Sequence, residues 1–205
     1  MSKLLTGDIV LVDSDKSYAK VVKFLQKSST VWHWIAGKIY ELVSKKKAPK
    51  WLIDEVDFYH VAMALDEKRI IEQQGKVIIS LASRLKGKRI RVWRNMGLSE
   101  VDRLTLVSRS QQDLGKGYDI LLIFGKTLTW LTGLGFLAMI FQWPGVEICA
   151  TIVAKWHWFI DHFGRMSPET VTGDDIDDWC LAHPALDSVK DGKYIEVKIT
   201  QEDLI

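Results

Sequence analysis

The stretch YHVAMALDEKRIIEQQG, residues 59–75, constrains the fold more than any other part of the chain. His60, Ala62 and Ala64 fall on one side and Val61, Met63 and Leu65 on the other, which is the alternation of a strand. Asp66, Glu67 and Lys68 form a tight polar turn, and Arg69 to Gln74 reads as the returning strand of an antiparallel hairpin. With those residues as the loop, Glu72 pairs opposite Ala62 on the face that His60 occupies. Diagonal neighbours of this kind have Cβ atoms roughly 7 Å apart, a gap that two long polar side chains can close. The small alanines beside the histidine leave room for another group to approach it.

Further elements build out from this hairpin. Gly7-Asp8 marks a turn into Ile9-Val10-Leu11-Val12, a short buried strand, and Val77–Leu81 and Arg89–Trp93 continue the strand pattern. Between Arg84 and Arg94 basic and apolar residues alternate, as on the exposed face of an edge strand whose lysines discourage pairing; phosphate binding is the alternative. Helical spacing recurs in 16–27, in a tryptophan-rich run 31–43, in Ser99–Leu114 with Ser99 as N-cap, and in Glu147–Phe163. Pro168 suits a first turn, the acidic residues from Asp174 to Asp178 suit the early turns of a last helix through Cys180, and Tyr194–Ile199 closes the chain as a strand. There is no internal repeat and no linker. The expectation is one α+β domain over 1–205, a small antiparallel sheet packed against helices, with a helical Trp-rich insertion about 28–56 and an apolar helical segment about 120–141.

Composition narrows the function classes. With 47% hydrophobic and 26% charged residues the chain is globular, and a net charge of +2 gives no general argument for nucleic acid. Lys45-Lys46-Lys47 lacks an accompanying basic fold motif and reads as a solvated connection, so no nucleic-acid partner is expected. Two cysteines cannot build a disulfide framework, which suggests free thiols in a reducing compartment. The opening MSKLLTGDIVLVD has no apolar core or small-residue cleavage site of a signal peptide, so the expected location is the cytoplasm. Ile120 to Phe141 is long enough to cross a bilayer and holds one charge, Lys126. Its glycines and threonines suit a buried or surface-attached helical hairpin better than a span, and peripheral membrane contact stays open.

The chemistry-bearing residues are Cys149, His60 and Glu72. Cys149 follows a Pro-Gly break in the first turn of a helix, where backbone N–H groups and the helix dipole stabilise a thiolate. A neighbouring imidazole would stabilise it further and supply acid and base steps, and a carboxylate beyond the ring would fix its tautomer. Residue types alone leave the ordinary alternative in place: a small core cysteine and a structural strand histidine. His157, Asp161 and His162 permit a metal site in principle, but no second ligand cluster supports it and a charged helix face explains them better. His33 sits between Trp32 and Trp34 as an interfacial residue, His183 as a helix cap, and Cys180 as packing. No metal and no organic cofactor is expected.

Taken in order, TGDIVLV at 6–12, YHVAMAL at 59–65, IIEQQGKV at 70–77, GKGYD at 115–119, EICATIVA at 147–154 and SPET at 167–170 resemble the circularly permuted branch of the NlpC-type papain-like cysteine hydrolases, the YiiX-like group. In that branch the histidine strand precedes the polar third residue and the cysteine helix comes late, as here. The resemblance implies a permuted papain-like fold with His60 as the catalytic histidine, Glu72 as its orienting residue and Cys149 as the nucleophile at a helix N-terminus. Tyr118 falls on a tyrosine that helps line the site, with packing under the loop as the alternative. Two departures bear on substrate: Ala150-Thr151 stands where relatives commonly carry Ser-Glu, and the Trp-rich stretch before the histidine looks like an addition.

The expected function is therefore a cysteine peptidase or amidase that cleaves an amide bond, in a cell-wall peptide or related small amide, through a thioester acyl-enzyme. A lipid-directed acyl hydrolase or acyltransferase is the first alternative, because the apolar segment lies next to Cys149 in the chain. A non-catalytic, membrane-associated binding module of the same fold is the second, and nine tryptophans suit such an interface.

Overall fold

The computed structural model describes residues 3–13, 38, 41–45, 58, 60–118, 128, 146–165, 167–185 and 193–204. Along the chain run β1 (Ile9–Asp13), β2 (His60–Ala64), β3 (Arg69–Gln74), β4 (Lys76–Leu81), a 3-10 turn (Ala82–Leu85), β5 (Arg89–Asn95) and α1 (Glu100–Gln112). They are followed by β6 (Gly117–Tyr118), β7 (Val146–Glu147), α2 (Cys149–His157), a second 3-10 turn (Pro168–Thr170), α3 (Gly173–Ala182) and β8 (Tyr194–Glu196). The architecture is α+β, with one eight-stranded sheet in the order β7-β6-β4-β3-β2-β1-β5-β8. Every ladder is antiparallel except the short β6–β7 pair. The sheet is thus larger than the small one the sequence suggests, because two-residue and three-residue strands at its ends carry no readable period.

The hairpin forms in the expected register, with Ala62 opposite Glu72 and Met63 opposite Ile71. Both faces of the sheet are covered. On one, Ile9, Leu11, Val61, Met63, Ile71 and Trp93 pack with Ala150, Ile152, Val153 and Trp156 of α2 and with Ile176 and Cys180 of α3. On the other, Val10, Val12, Ala62, Ala64, Ile70 and Val92 pack with Ala82 and Leu85 of the 3-10 turn and with Leu4, Val197 and Leu204. Full burial of a large apolar side chain is worth about 1.5–3 kcal/mol. A slip of one residue would drive Glu72 against the α2 face and expel Ile71, so the register is strongly fixed.

Four expectations need correction. The alanine face of β2 does not stand open: Ala62 and Ala64 are fully buried, and their small size admits the 3-10 turn and Leu85. The basic run from Arg84 to Arg94 does not belong to an edge, since β5 lies between β1 and β8. Its arginines are drawn inward by acids: Arg91 pairs with Asp177, and Arg94 Nη2 reaches Asp8 Oδ2 at 2.7 Å. The cysteine helix stops at His157 instead of running to Phe163, because the chain turns at 158–160 and Phe163 takes a positive φ of 48°. The closing strand is limited to Tyr194–Glu196. Helix 16–27, the Trp-rich insertion 28–56 and the apolar segment 120–141 fall outside the described residues, apart from helical backbone at 38, 41–44 and 128.

The turn into β1 depends on Gly7. Its φ is +86°, and a Cβ there would lie 2.9 Å from Leu106 Cδ1. The turn also buries a charge, for Asp8 accepts from Leu5 N at 2.8 Å and from Arg94 Nε at 2.9 Å. Removing one member of a buried pair leaves the other uncompensated, at a cost of about 3–5 kcal/mol. Asp8→Ala is therefore expected to lower the unfolding free energy by that order and to bring the urea midpoint down with it. Lys3→Ala, which breaks a surface pair with Glu67, should leave the midpoint where it is. Equal effects of the two substitutions in urea titrations would show that the Asp8 pair carries no special weight.

Candidate active site

His60 is the first residue of β2, and Glu72 lies on the neighbouring β3 one pair along, so their side chains meet diagonally on one face. The ring donates from Nε2 to Glu72 Oε2 at 2.9 Å. Cys149 is the first residue of α2, which packs across β2 and β3, and its thiol hydrogen-bonds with the His60 ring. The structure thus brings Cys149, His60 and Glu72 together in a line: thiol, ring, carboxylate. Cys149 and His60 keep 8% and 7% exposure while Glu72 has none, so solvent reaches the thiol end and not the carboxylate end.

The position of Cys149 is built through the sheet. Gln73, on the α2 side of β3, donates from Nε2 to the Gly117 carbonyl. That contact ties β3 to β6, and β6 pairs with β7 through Gly117–Val146 and Tyr118–Glu147, directly before Ile148 and Cys149. The amino terminus of α2 differs from those of the other two helices. Ser99 and Thr172 close α1 and α3 with full capping boxes, whereas no side chain caps α2 at Ile148. Ile148, with an apolar side chain, offers no acceptor of the kind that Ser99 and Thr172 supply to α1 and α3. Tyr118 has its backbone in β6, two strands from β3, and its side chain lies outside the described residues.

Burial opposes a charge on His60, but hydrogen bonds and opposite charge from Cys149 and Glu72 outweigh it, raising its pKa from 6.5 to about 9. For Glu72, burial pushes upward, while His60, Ser80 and Arg84 hold the carboxyl below its ordinary value. Three residues in this network escape sequence reasoning. Gln74 Nε2 donates to Glu72 Oε2 at 2.8 Å, Ser80 lies beside the same carboxylate and helps hold its pKa down, and Arg84 Nη1 lies 3.0 Å from Oε1. The Arg84 approach lies off the hydrogen-bonding direction, so that contact is ionic. A period-two pattern puts Gln74 and Ser80 on the His60 face, which is the signal that was there to read. Arg84 comes from a 3-10 turn and had none.

The competing residues are structural. His157 directs Nδ1 to Val153 O at 3.0 Å and Nε2 to Gly7 O at 3.3 Å, and burial lowers its pKa. His162 stacks on Trp158, and Asp161 accepts from Tyr194 Oη at 3.0 Å, so these groups do not converge. His183 ends α3 with Nδ1 at 2.8 Å from Trp179 O. Cys180 is wholly buried, and burial together with Asp177 and Asp161 pushes its thiol well above the ordinary value. Among the described residues no group of three His, Cys, Asp or Glu gathers as a metal site. No helix among them is long and apolar enough to cross a membrane.

No protein-family model matches the chain, and no curated protein matches it either. Among solved structures it is similar to the crystal structure of the metalloprotein YiiX from Escherichia coli O157:H7. The TM-score is 0.50 at 15% identity, over 94% of this chain and 88% of that one. A likeness at this identity carries the fold, which is YiiX-like.

The raised pKa of His60 makes a signed prediction. A group whose folded pKa lies above its unfolded value stabilises fully below the unfolded value and loses that contribution as pH rises through the folded one. The stability difference between wild type and His60→Gln should hold near pH 6 and shrink as pH climbs through about 9. Chemical denaturation at a series of pH values reads it, and a difference constant from pH 6 to 10 would rule out a charged ring.

Proposed function

We propose that this protein is a cysteine hydrolase of the permuted papain-like, NlpC-type kind, acting on an amide bond in a peptide or small amide. The observation that carries the reading is the line from Cys149 through His60 to Glu72, beginning at the first residue of a helix. The sequence resemblance and the YiiX-like fold support it in the order of elements: histidine strand first, cysteine helix late.

Glu72 engages Nε2, which leaves Nδ1 as the ring nitrogen for the thiol. The proton of Cys149 passes to His60, giving a thiolate beside an imidazolium whose charge Glu72 stabilises. The thiolate attacks the carbonyl carbon, forming a C–S bond as the C=O electron pair moves onto oxygen. First-turn N–H groups of α2 stabilise that oxyanion. As the C=O bond re-forms, the C–N bond breaks and His60 gives its proton to the leaving amine. The neutral ring then takes a proton from water as the water oxygen attacks the thioester. The C–S bond breaks, the carboxylic product leaves, and the thiolate–imidazolium pair is restored.

The thiol, ring and carboxylate are directed at one another, which suits proton transfer along that line. The run Ile120–Phe141 precedes Cys149 by a few residues, which favours an acyl lipid as the second substrate class.

Iodoacetamide labelling against pH tests the chemistry without a known substrate. Cys149 is expected to label at pH 6 at least about tenfold faster than an ordinary thiol, and His60→Ala to remove that advantage. Cys180 should stay slow throughout. If Cys149 follows an ordinary thiol profile in both proteins, the hydrolase reading fails and a binding module of the same fold takes its place.

A further inference from the structure

Glu72 is a carboxylate with no solvent exposure, on the sheet face that also holds Ala62, Ala64 and Ile70. Burial of that kind drives a carboxyl towards its neutral form unless fixed partners oppose it. Its Oε2 atom receives the His60 ring and the Gln74 amide. Its Oε1 atom faces Arg84, which among the described ion pairs is the cation on Glu72 besides the ring itself. The guanidinium is held at several points. Nη1 donates to Ser80 Oγ at 2.9 Å and Nη2 donates to Gln74 Oε1 at 2.5 Å, while Gln74 returns to Glu72. Glu72, Arg84 and Gln74 thus close a ring of contacts that a planar, forked cation can complete and an ammonium cannot. The turn bearing Arg84 is itself pinned by the buried side chains of Ala82 and Leu85 and by Ala82 N donating to Lys68 O at 2.7 Å.

Resting on the hydrolase reading of the same site, we propose that Arg84 is a positioning residue: it holds Glu72 as an oriented carboxylate and thereby keeps the His60 ring charged beside Cys149. The groups facing Glu72 are His60 from β2, Gln74 from its own strand, Ser80 from β4 and Arg84 from the 3-10 turn. Among the described residues, those facing His60 are Glu72 from β3 and Cys149 from α2. Without Arg84, burial acts on Glu72 with one cation fewer, and the proton in the Glu72–His60 hydrogen bond shifts towards the carboxylate. The ring then titrates at lower pH. Simple removal of a nearby positive charge would act with the opposite sign, making the ring easier to protonate. The sign of the change therefore separates positioning from bare charge.

The test uses the full chain in four forms: wild type, Arg84→Met, Arg84→Lys, and His60→Ala to assign the ring signals. Arg84 is about a third exposed, so methionine keeps its apolar stem in place without a buried void. NMR titration of the His60 ring is expected to show a midpoint about one pH unit lower in Arg84→Met, a tenfold change in the protonation equilibrium. Iodoacetamide labelling of Cys149 at pH 6 should slow by about tenfold in the same variant. Arg84→Lys keeps the charge without the fork to Gln74 and should fall between the two. It reads the same midpoint should the methionine variant not fold. A ring midpoint that stays at the wild-type value in both variants, or rises, would overturn the proposal. A wild type whose Cys149 labelling ignores His60 overturns the hydrolase reading instead, and the ring titration still reports on Arg84.

Discussion

The hydrogen bond from His60 to Glu72 is the contact on which the rest of the site depends, and the β2–β3 register makes it. Both residues belong to the middle of a sheet covered on each face, where an unpartnered ring or carboxylate would be costly. Their pairing satisfies His60 Nε2 and Glu72 Oε2 at once. It also explains why the flanking residues are so apolar: Met63 against Ile71, and Ala62 and Ala64 beneath the 3-10 turn, lock the register that brings the polar pair into reach. Core packing and site geometry are one arrangement here.

The cysteine end of the line is set by a different device. Gln73 fastens β6 to β3, β6 carries β7, and β7 delivers the chain into α2 at Cys149. The helix then packs Ile152, Val153 and Trp156 against the same sheet, with the Trp156 indole donating to Asp113 at 2.8 Å. Strand and helix therefore approach along a rigid path, and the N-cap position of α2 is the apolar Ile148, whereas Ser99 and Thr172 cap α1 and α3.

How much of this was legible follows from what leaves a periodic trace. Strand alternation with a three-residue polar turn gave the Ala62–Glu72 register, Ser99 gave the cap of α1, and the acidic run gave the early turns of α3, because these are local patterns. The basic run around β5 misled for a physical reason. Arg91 and Arg94 look solvent-directed by type, yet Asp177 and Asp8, distant in sequence, draw them inward as β8 closes the edge. The end of α2 was misplaced because Phe159 and Phe163 keep helical spacing after the backbone has turned.

The sequence by itself determined the hairpin, the pairing of His60 with Glu72, and the placing of Cys149 at a helix start, since each rests on neighbours within a few residues or across one tight turn. Only the tertiary structure decided that the helix start meets the histidine, that the alanine face is filled, and that Arg84, Ser80 and Gln74 enclose the buried carboxylate. Those outcomes depend on how a helix and a 3-10 turn lie over the sheet, and packing over long sequence separations leaves no period in the chain to read.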